Sequence, residues 1–298
     1  MKHAKHFSPI KSPHLVSFEG DFKLKNLSHD PPPDAPKRHH CEQRMQARIE
    51  EMQKLQSRLY ADDAYALLLV FQAMDAAGKD GTIRAVMTGI NPAGCQVFSF
   101  KKPSAEELDH DFLWRTTKCL PERGRIGIFN RSYYEDVLVQ RVHPEWLKNQ
   151  RVPGMADQDP AEVFEGRYDS IRDHERHLAR NGTVILKFFL NVSKEEQRQR
   201  FLDRINEPKS NWKFSSADIQ ERGHWSEYME AYETALKATS RPWAPWYAIP
   251  ADNKPYMRLA VCDIIAARLE SLDLSYPKVG DAQRAVLGEV KKQLEAEA

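Results

Sequence analysis

The stretch ALLLVFQAMDAAGKDGT, residues Ala66 to Thr82, decides the fold. It begins with a continuous apolar run that ends near Gln72 and is typical of a parallel strand covered on both faces. A turn of small residues follows and leads through Gly78 and Lys79 into a predicted helix. Backbone N–H groups at such a helix start, together with a lysine ammonium, can bind an anionic phosphate. The segment therefore predicts a strand, a phosphate-binding loop and a helix.

This loop departs from the strict pattern G-x-x-x-x-G-K-[ST], which needs Gly at Ala73 and Ser or Thr at Asp80. Gly81 and Thr82 nevertheless follow closely. Asp75 lies inside the loop, where a carboxylate would repel phosphate unless a cation such as magnesium lay between them. The alternative is an ordinary strand–turn–helix with an exposed lysine, in which the aspartate is a turn former.

Outward from this stretch, apolar runs and helical patterns alternate along the chain. A helix is predicted from Glu42 to Tyr60, and capping-box spacings predict helix starts at Ser104, Ser132 and Ser193. This alternation predicts an α/β fold with a parallel sheet and right-handed crossovers. The four further predicted strands are Cys95 to Phe100, Arg125 to Phe129, Thr183 to Leu190 and Pro245 to Ile249.

Composition bounds the class of protein. The 298 residues are 41% hydrophobic and 29% charged, which excludes disorder along the whole chain. Lys and Arg number 44 against 43 Asp and Glu, so any polyanion must bind to a local basic patch. No apolar stretch is long enough to cross a membrane, and the N-terminus lacks the apolar region of a secretory signal. Four widely spaced cysteines without a CxxC pair favour the reducing cytoplasm.

A second charged segment, RIGIFNRSYYEDVLVQR, follows the third predicted strand. It places Asn130 and Arg131 at the carboxyl end of that strand, the edge where ligands bind in open α/β sheets. Asp136 lies about one helical turn further on, and Glu135 has a competing role as the capping-box partner of Ser132. A carboxylate for magnesium beside arginines for phosphate oxygens is the chemistry of phosphoryl transfer.

A third segment resembles a lid. Arg200 and Arg204 share one face of a predicted helix, and an exposed charged face is the ordinary interpretation. However, a polar loop with Trp212 and Lys213 follows, which is typical of a mobile cover over an active site.

These motifs together resemble the family 2 polyphosphate kinases. FQAMDAAGKDGTIR, FNRSYYEDVLV, TVILKFFLNVSKEEQRQRF, NWKF and APWYAIPA carry the resemblance, which covers about residues 44–274. It implies a three-layer α/β/α P-loop kinase fold like that of thymidylate kinase, with a parallel five-stranded sheet. The prolines of residues 1–41 predict an extended arm with at most a short docked piece, and residues 42–298 are expected to form the kinase domain. The helical lid is expected at about 206–224.

The resemblance also implies roles for individual residues. Asp75 and Asp136 would hold Mg²⁺, which Mn²⁺ could replace, between two phosphate chains. Arg131 would neutralise the transferred group, while Arg200 and Lys213 would close from the lid. The implied phosphate and nucleotide site is Lys79 with Ala76, Ala77, Gly78, Asp80, Gly81, Thr82 and Asn130, with Glu135 among the catalytic residues. The implied polyphosphate channel is Arg84, Lys101, Lys102 and Arg115.

Asn130 and Glu135 resemble the class III members, which phosphorylate both nucleoside monophosphates and diphosphates. We therefore expect AMP and ADP as acceptors, with GMP and GDP as further ones, in a reversible direct transfer by a homodimer or homotetramer. Two alternatives remain open from the sequence. One is an ATP-dependent nucleoside monophosphate kinase of the same fold, and the other is a non-catalytic nucleotide or polyphosphate sensor that signals through the arm.

Overall fold

The sheet has five parallel strands in the order β2-β3-β1-β4-β5. The structure is a computed structural model that describes residues 8–297, except the side chains of residues 156, 210 and 213. The parallel sheet and the places of all its strands confirm the sequence prediction. The strands are β1 (Ala66–Gln72), β2 (Cys95–Ser99), β3 (Ile126–Asn130), β4 (Thr183–Asn191) and β5 (Trp246–Pro250).

Helices cover both faces of the sheet. On one face α1 and α2 pack against α10, and on the other α5 and α6 pack against α9. Every residue of β1 is buried, as expected for a central strand between two helical layers. The helices are α1 (Arg38–Asp62), α2 (Lys79–Val86), α3 (Ala105–Leu108), α4 (Trp114–Thr117), α5 (Glu135–Val142), α6 (Pro160–Arg180), α7 (Lys194–Asn206), α8 (Ser216–Gly223), α9 (Trp225–Thr239), α10 (Lys254–Ser271) and α11 (Asp281–Ala296).

The position of β1 determines where a ligand can bind. It pairs with β3 on one side and with β4 on the other, and Phe71 is in register with Asn130. The chain therefore leaves β1 and β3 at the same sheet edge, where the strand order reverses direction. Crevices at such points are the usual ligand sites of open α/β sheets.

The proline-rich segment is docked more extensively than predicted. Val16 donates its backbone N–H to the Trp246 carbonyl at 2.9 Å, and Ala248 donates to the His14 carbonyl at 2.8 Å. Val16 and Leu24 are buried. Because β5 is an edge strand, its unpaired backbone groups need a cover, and this segment provides one. Helix α1 also begins at Arg38 instead of Glu42, so the predicted boundary at residue 41 lies inside a helix.

The capping-box predictions have different outcomes. Ser104 forms the full box with Glu107, but the helix it opens ends at Leu108 and a second short helix follows. The hydroxyl oxygen of Ser193 accepts a hydrogen bond from the backbone N–H of Glu196. The box predicted at Ser132 is wrong, because its hydroxyl lies at hydrogen-bond distance from the Tyr134 N–H and the Gln72 side chain. Within residues 8–297 no helix is long and apolar enough to cross a membrane.

Candidate active site

A cleft of about 810 Å³ opens at the edge where β1 and β3 end. Its walls come from the phosphate loop, from the ends of β2 and β3, and from the segment between α7 and α8. The predicted site residues that line it are Asp75, Ala76, Ala77, Gly78, Lys79, Asp80, Gly81, Arg84, Lys101, Lys102, Asn130 and Arg131. The structure thus brings most of the predicted residues together.

The phosphate loop has an unusual backbone. Ala76 and Gly78 both adopt positive φ angles, 59° and 104°, and Gly78 caps the start of α2. A residue with a side chain is strained in this region, and such strain is concentrated at ligand-binding sites. Helix starts also leave their first N–H groups without helical partners, so the first turn of α2 can donate to an anion. Thr82 does not line the cleft: it is buried and its hydroxyl donates to the Gly78 carbonyl.

Lys79 reaches from the first turn of α2 across the base of this loop. Its ammonium donates to the carbonyls of Ala73 at 2.7 Å and Met74 at 3.4 Å. Burial, reinforced by the nearby Arg131 guanidinium, lowers the pKa of Lys79 to about 8. Among the described residues no carboxylate lies within salt-bridge distance of this ammonium. The lysine is therefore a cation that an anionic ligand would stabilise.

Arg131 joins the two acidic segments. It adopts φ 64°, and its guanidinium contacts Asp75 at 2.5 Å and Glu135 at 3.1 Å. These carboxylates, Glu135 above all, raise the pKa of Arg131 above its ordinary value. Glu135 therefore orients the arginine and does not complete a capping box. Next to it, the Asn130 amide donates to Asp80 at 2.6 Å.

Asp136 occupies a separate, buried position. It is 3% exposed and does not line the cleft, and one of its oxygens accepts hydrogen bonds from Gln140 and Gln150. Its other oxygen lies 3.9 Å from Arg115, and burial raises the pKa of Asp136 to about 6. That second oxygen is buried without a hydrogen-bond partner. Asp136 therefore lies behind the cleft wall in this conformation, and its role as a metal ligand together with Asp75 stays a prediction. Glu135, its neighbour in sequence, contacts Arg131 instead, because adjacent residues at a helix start point in different directions.

Arg115 is likewise absent from the cleft wall. Its guanidinium is buried and donates to the Lys101 carbonyl at 2.7 Å. Since Lys101 and Lys102 do line the cleft, Arg115 holds the backbone of that wall and would not contact a ligand. Arg115 and Asp136 thus form a support behind the cleft.

Arg200 is a structural residue in this conformation. Its five N–H groups are matched by five contacts, to the Glu196 carboxylate and to four backbone carbonyls. Two of these carbonyls belong to Ala76 and Ala77 of the phosphate loop, and two to Ala251 and Asp252 after β5. The prediction that Arg200 closes onto the transferred group is therefore not supported. The residue fixes the loop to α7 and to the end of β5.

Arg204, one turn later on α7, faces the cleft instead. It lies 3.4 Å from Asp218 of α8, and both residues line the cleft with Trp212 and Ser215. Burial, followed by the charge of Asp75, raises the pKa of Asp218. Asp218 was missed because nothing in its local sequence distinguishes it from a surface residue. The side chain of Lys213 lies outside the described structure.

The fold and the site together define a class of protein. A parallel sheet in the order β2-β3-β1-β4-β5, a phosphate loop directly after β1 and a helical flap above it are those of a P-loop kinase. The cleft has cations and carboxylates but no group arranged as an activated nucleophile among its described residues, which suits direct phosphoryl transfer.

Within this class the chain belongs to the family Polyphosphate kinase 2 (PPK2), whose profile matches residues 36–277. It is 56% identical over 255 residues to an ADP-polyphosphate phosphotransferase of Rhodopseudomonas palustris, covering 86% of this chain and 88% of the relative. It is 46% identical over 236 residues to an AMP/ADP-polyphosphate phosphotransferase of Meiothermus ruber, covering 79% and 84%. The crystal structure of Polyphosphate Kinase 2 from Arthrobacter aurescens TC1 superposes with a TM-score of 0.83, at 36% identity, covering 94% of this chain and 98% of that one. The chain is therefore an enzyme of this family, which fits better than a sensor or an ATP-dependent kinase.

Proposed function

We propose that this chain transfers the terminal phosphate of inorganic polyphosphate to ADP and AMP. The observation that carries the proposal is the charge of the cleft. Among the described lining residues six cations face three carboxylates, and the excess suits two phosphate chains held side by side. The cations are Lys79, Arg84, Lys101, Lys102, Arg131 and Arg204, and the carboxylates are Asp75, Asp80 and Asp218.

The residues of this cleft act by positioning and by charge neutralisation. The N–H groups at the start of α2 and the Lys79 ammonium would hold phosphate oxygens, while Arg131 would stabilise charge on the transferred group. The transfer exchanges one phosphoanhydride for another, so it needs no covalent enzyme intermediate and is reversible. Reacting oxygens held in line supply the remaining rate enhancement.

Magnesium fits this donor set. Asp75 is partly exposed in the cleft, and Mg²⁺ is commonly held by one or two carboxylates together with substrate phosphates. Within residues 8–297 no cluster of three or more potential ligands exists that could hold a metal without substrate. We propose that Asp75 holds Mg²⁺, replaceable by Mn²⁺, with the substrates, and that Glu135 keeps Arg131 in place beside it. The ion would supply neutralisation of charge between the two phosphate chains.

The proposal also covers which nucleotides accept the phosphate. The two relatives described above carry different names, one with ADP alone and one with AMP and ADP. Asn130 and Glu135 lead us to propose both acceptors, with GMP and GDP as further ones. We also propose a homo-oligomer, and a cytoplasmic location, which the four free cysteines support.

One assay tests the donor and the acceptors together. Purified protein is incubated with magnesium polyphosphate and AMP, without ATP, and nucleotides are followed over time. We expect ADP first and ATP afterwards. Activity from ADP but none from AMP would contradict the acceptor range, and no product from either acceptor would contradict the polyphosphate donor.

A further inference from the structure

The flap over the cleft, residues 207–224, is joined to the phosphate loop through a buried side chain of α7. Gln197 is 1% exposed, and its amide nitrogen donates a hydrogen bond to the Asp75 carbonyl of the loop at 2.9 Å. The oxygen of the same amide accepts a hydrogen bond from Arg222 of α8 at 2.7 Å. Because a carbonyl only accepts and a guanidinium only donates, these two partners fix the orientation of the amide. Gln197 therefore connects α8 with the loop through two hydrogen bonds.

The Asp75 carbonyl lies in a strained turn of the loop. The Ala77 N–H closes this turn by donating to the Met74 carbonyl at 3.3 Å. Ala76, the third residue of the turn, has a φ of 59°, a value that a type II turn requires and that is costly for a residue with a side chain. Type I and type II turns differ in the orientation of the middle peptide, to which the Asp75 carbonyl belongs. A donor to that carbonyl therefore holds the strained orientation, and with it the backbone from which the Asp75 carboxylate contacts Arg131.

Helix α8 depends on polar contacts for its position. The structure describes the backbone of all eight of its residues, and none of them is buried. A helix this short is not stable without tertiary contacts. In its last turn the Glu221 carboxylate accepts a hydrogen bond from the Tyr228 hydroxyl at 2.5 Å and lies 3.0 Å from His143 Nε2. The Glu221 contacts thus lead to α9 and to the residue after α5, whereas the contact of Arg222 leads through Gln197 to the phosphate loop.

We propose that Gln197 is a positioning residue that couples the flap to the phosphate loop. Arg222 holds the Gln197 amide and the amide holds the Asp75 peptide, so the loop and α8 keep one relative position. Because Asp218 of α8 lines the cleft opposite the loop, this coupling sets the distance between two walls of the cleft. The inference rests on the proposed function, since these are the walls that would enclose the phosphate chains.

The test compares Arg222→Ala with Glu221→Ala by amide hydrogen exchange in the free protein. Each variant removes a contact in the last turn of α8, so both should raise exchange in residues 216–223. Arg222→Ala also removes a partner of Gln197, so exchange of the Ala77 amide should rise about threefold to tenfold, as for the loss of a hydrogen bond to a charged group. In Glu221→Ala the Ala77 amide should exchange as in wild type. Equal exchange of Ala77 in the two variants would overturn the coupling.

A double-variant cycle provides a second test. Gln197→Leu removes both hydrogen bonds and should lower kcat/KM with polyphosphate about threefold to tenfold. Arg222→Ala should lower it about threefold alone but have little effect in the Gln197→Leu background, because the connection is already broken there. Arg222→Lys should recover most of the loss, since its ammonium can donate to the same oxygen. Additive effects of Gln197→Leu and Arg222→Ala would overturn the coupling.

The exchange comparison decides the matter if Gln197→Leu, a change at a buried position, does not fold. It needs no substrate, so it also separates this inference from the proposed function. Wild-type and variant proteins that show the expected exchange of Ala77, but transfer no phosphate from polyphosphate, would overturn the proposed function alone.

Discussion

Two buried lysines, Lys79 and Lys187, differ in their roles: Lys79 belongs to the candidate active site, and Lys187 belongs to a hydrogen-bond network in the core. Burial lowers the pKa of each to about 8. Lys187 lies on β4 and contacts the Glu175 carboxylate at 2.7 Å, the Tyr134 hydroxyl at 2.8 Å and the Thr239 carbonyl at 2.9 Å. Among the described residues, the Lys79 ammonium donates hydrogen bonds only to backbone carbonyls, and the side chain lines the cleft.

The difference lies in what compensates each charge. Glu175 is fully buried and also accepts hydrogen bonds from Tyr133 and Tyr134, so the Lys187 network is complete without a ligand. Among the described residues the Lys79 ammonium has no such carboxylate, and Arg131 adds a second positive charge nearby. A buried charge that the protein pairs cannot lose its partner without leaving an uncompensated charge in the core, whereas a buried charge that the protein leaves unpaired is available for substrate.

The largest expected effect is on the stability of the fold, through the Lys187 network. Lys187→Met should lower the free energy of unfolding by about 3–5 kcal/mol, because it leaves the Glu175 charge buried without a partner. Lys187→Met/Glu175→Gln should recover part of this loss, since the amide still accepts from both tyrosines. Urea denaturation measures the stability of both variants. An unchanged midpoint for Lys187→Met would contradict the claim that Lys187 compensates the buried Glu175 charge.

At Lys79 we expect a loss of activity without a loss of stability. Lys79→Met should lower kcat/KM with polyphosphate by about a hundredfold to a thousandfold, as for other preorganised groups that stabilise a transition state. Its free energy of unfolding should equal or exceed that of wild type, because the change removes a buried charge. Steady-state kinetics and urea denaturation on the same preparation check this, and near-normal turnover would show that the phosphate loop is wrongly assigned.

The pH dependence separates the two lysines further. With a pKa of about 8, Lys79 carries its charge below pH 8 and loses it as the pH rises. Polyphosphate affinity of the free enzyme should therefore fall above pH 8, by at most about tenfold per pH unit. Binding titrations from pH 7 to pH 9.5 measure this fall. Lys79→Met should flatten it, and a wild-type affinity that stays constant would contradict a titrating lysine at the phosphate loop.

The smallest effect is expected behind the cleft wall. Asp136→Asn keeps the shape of the side chain but removes the charge beside Arg115, which holds the Lys101 backbone. We expect KM for polyphosphate to rise about threefold, with kcat unchanged, because Arg115 lies 3.9 Å from Asp136, beyond hydrogen-bond distance, and keeps its own hydrogen bond to the Lys101 carbonyl. The Mg²⁺ concentration for half-maximal rate should not move, and a large increase in it would restore Asp136 as a metal ligand.

The double variant Asp136→Asn/Lys101→Ala is the control for that interpretation. If Asp136 acts by positioning Lys101, its own effect on KM should largely disappear once the Lys101 side chain is absent. Additive effects of the two changes would instead mean that Asp136 supports the fold in some other way.

Local sequence was enough to predict the strands and the phosphate loop. Ala66–Gln72 is apolar throughout and is followed by small residues and Gly78-Lys79, so one segment specifies strand, turn and helix start. The motif order then indicated the family. These features depend on neighbours in sequence, and the physical rules that govern them act over a few residues.

Only the tertiary structure decided which charged side chains reach the cleft. Asp136 points away while Glu135 beside it holds Arg131, and Arg200 is bound to carbonyls while Arg204 faces the ligand space. Each choice depends on which helix face packs against the sheet and which backbone carbonyls a neighbouring loop presents. Residues distant in sequence fix those contacts, so the pattern of charges along the chain predicts a phosphoryl-transfer site without assigning every member of it.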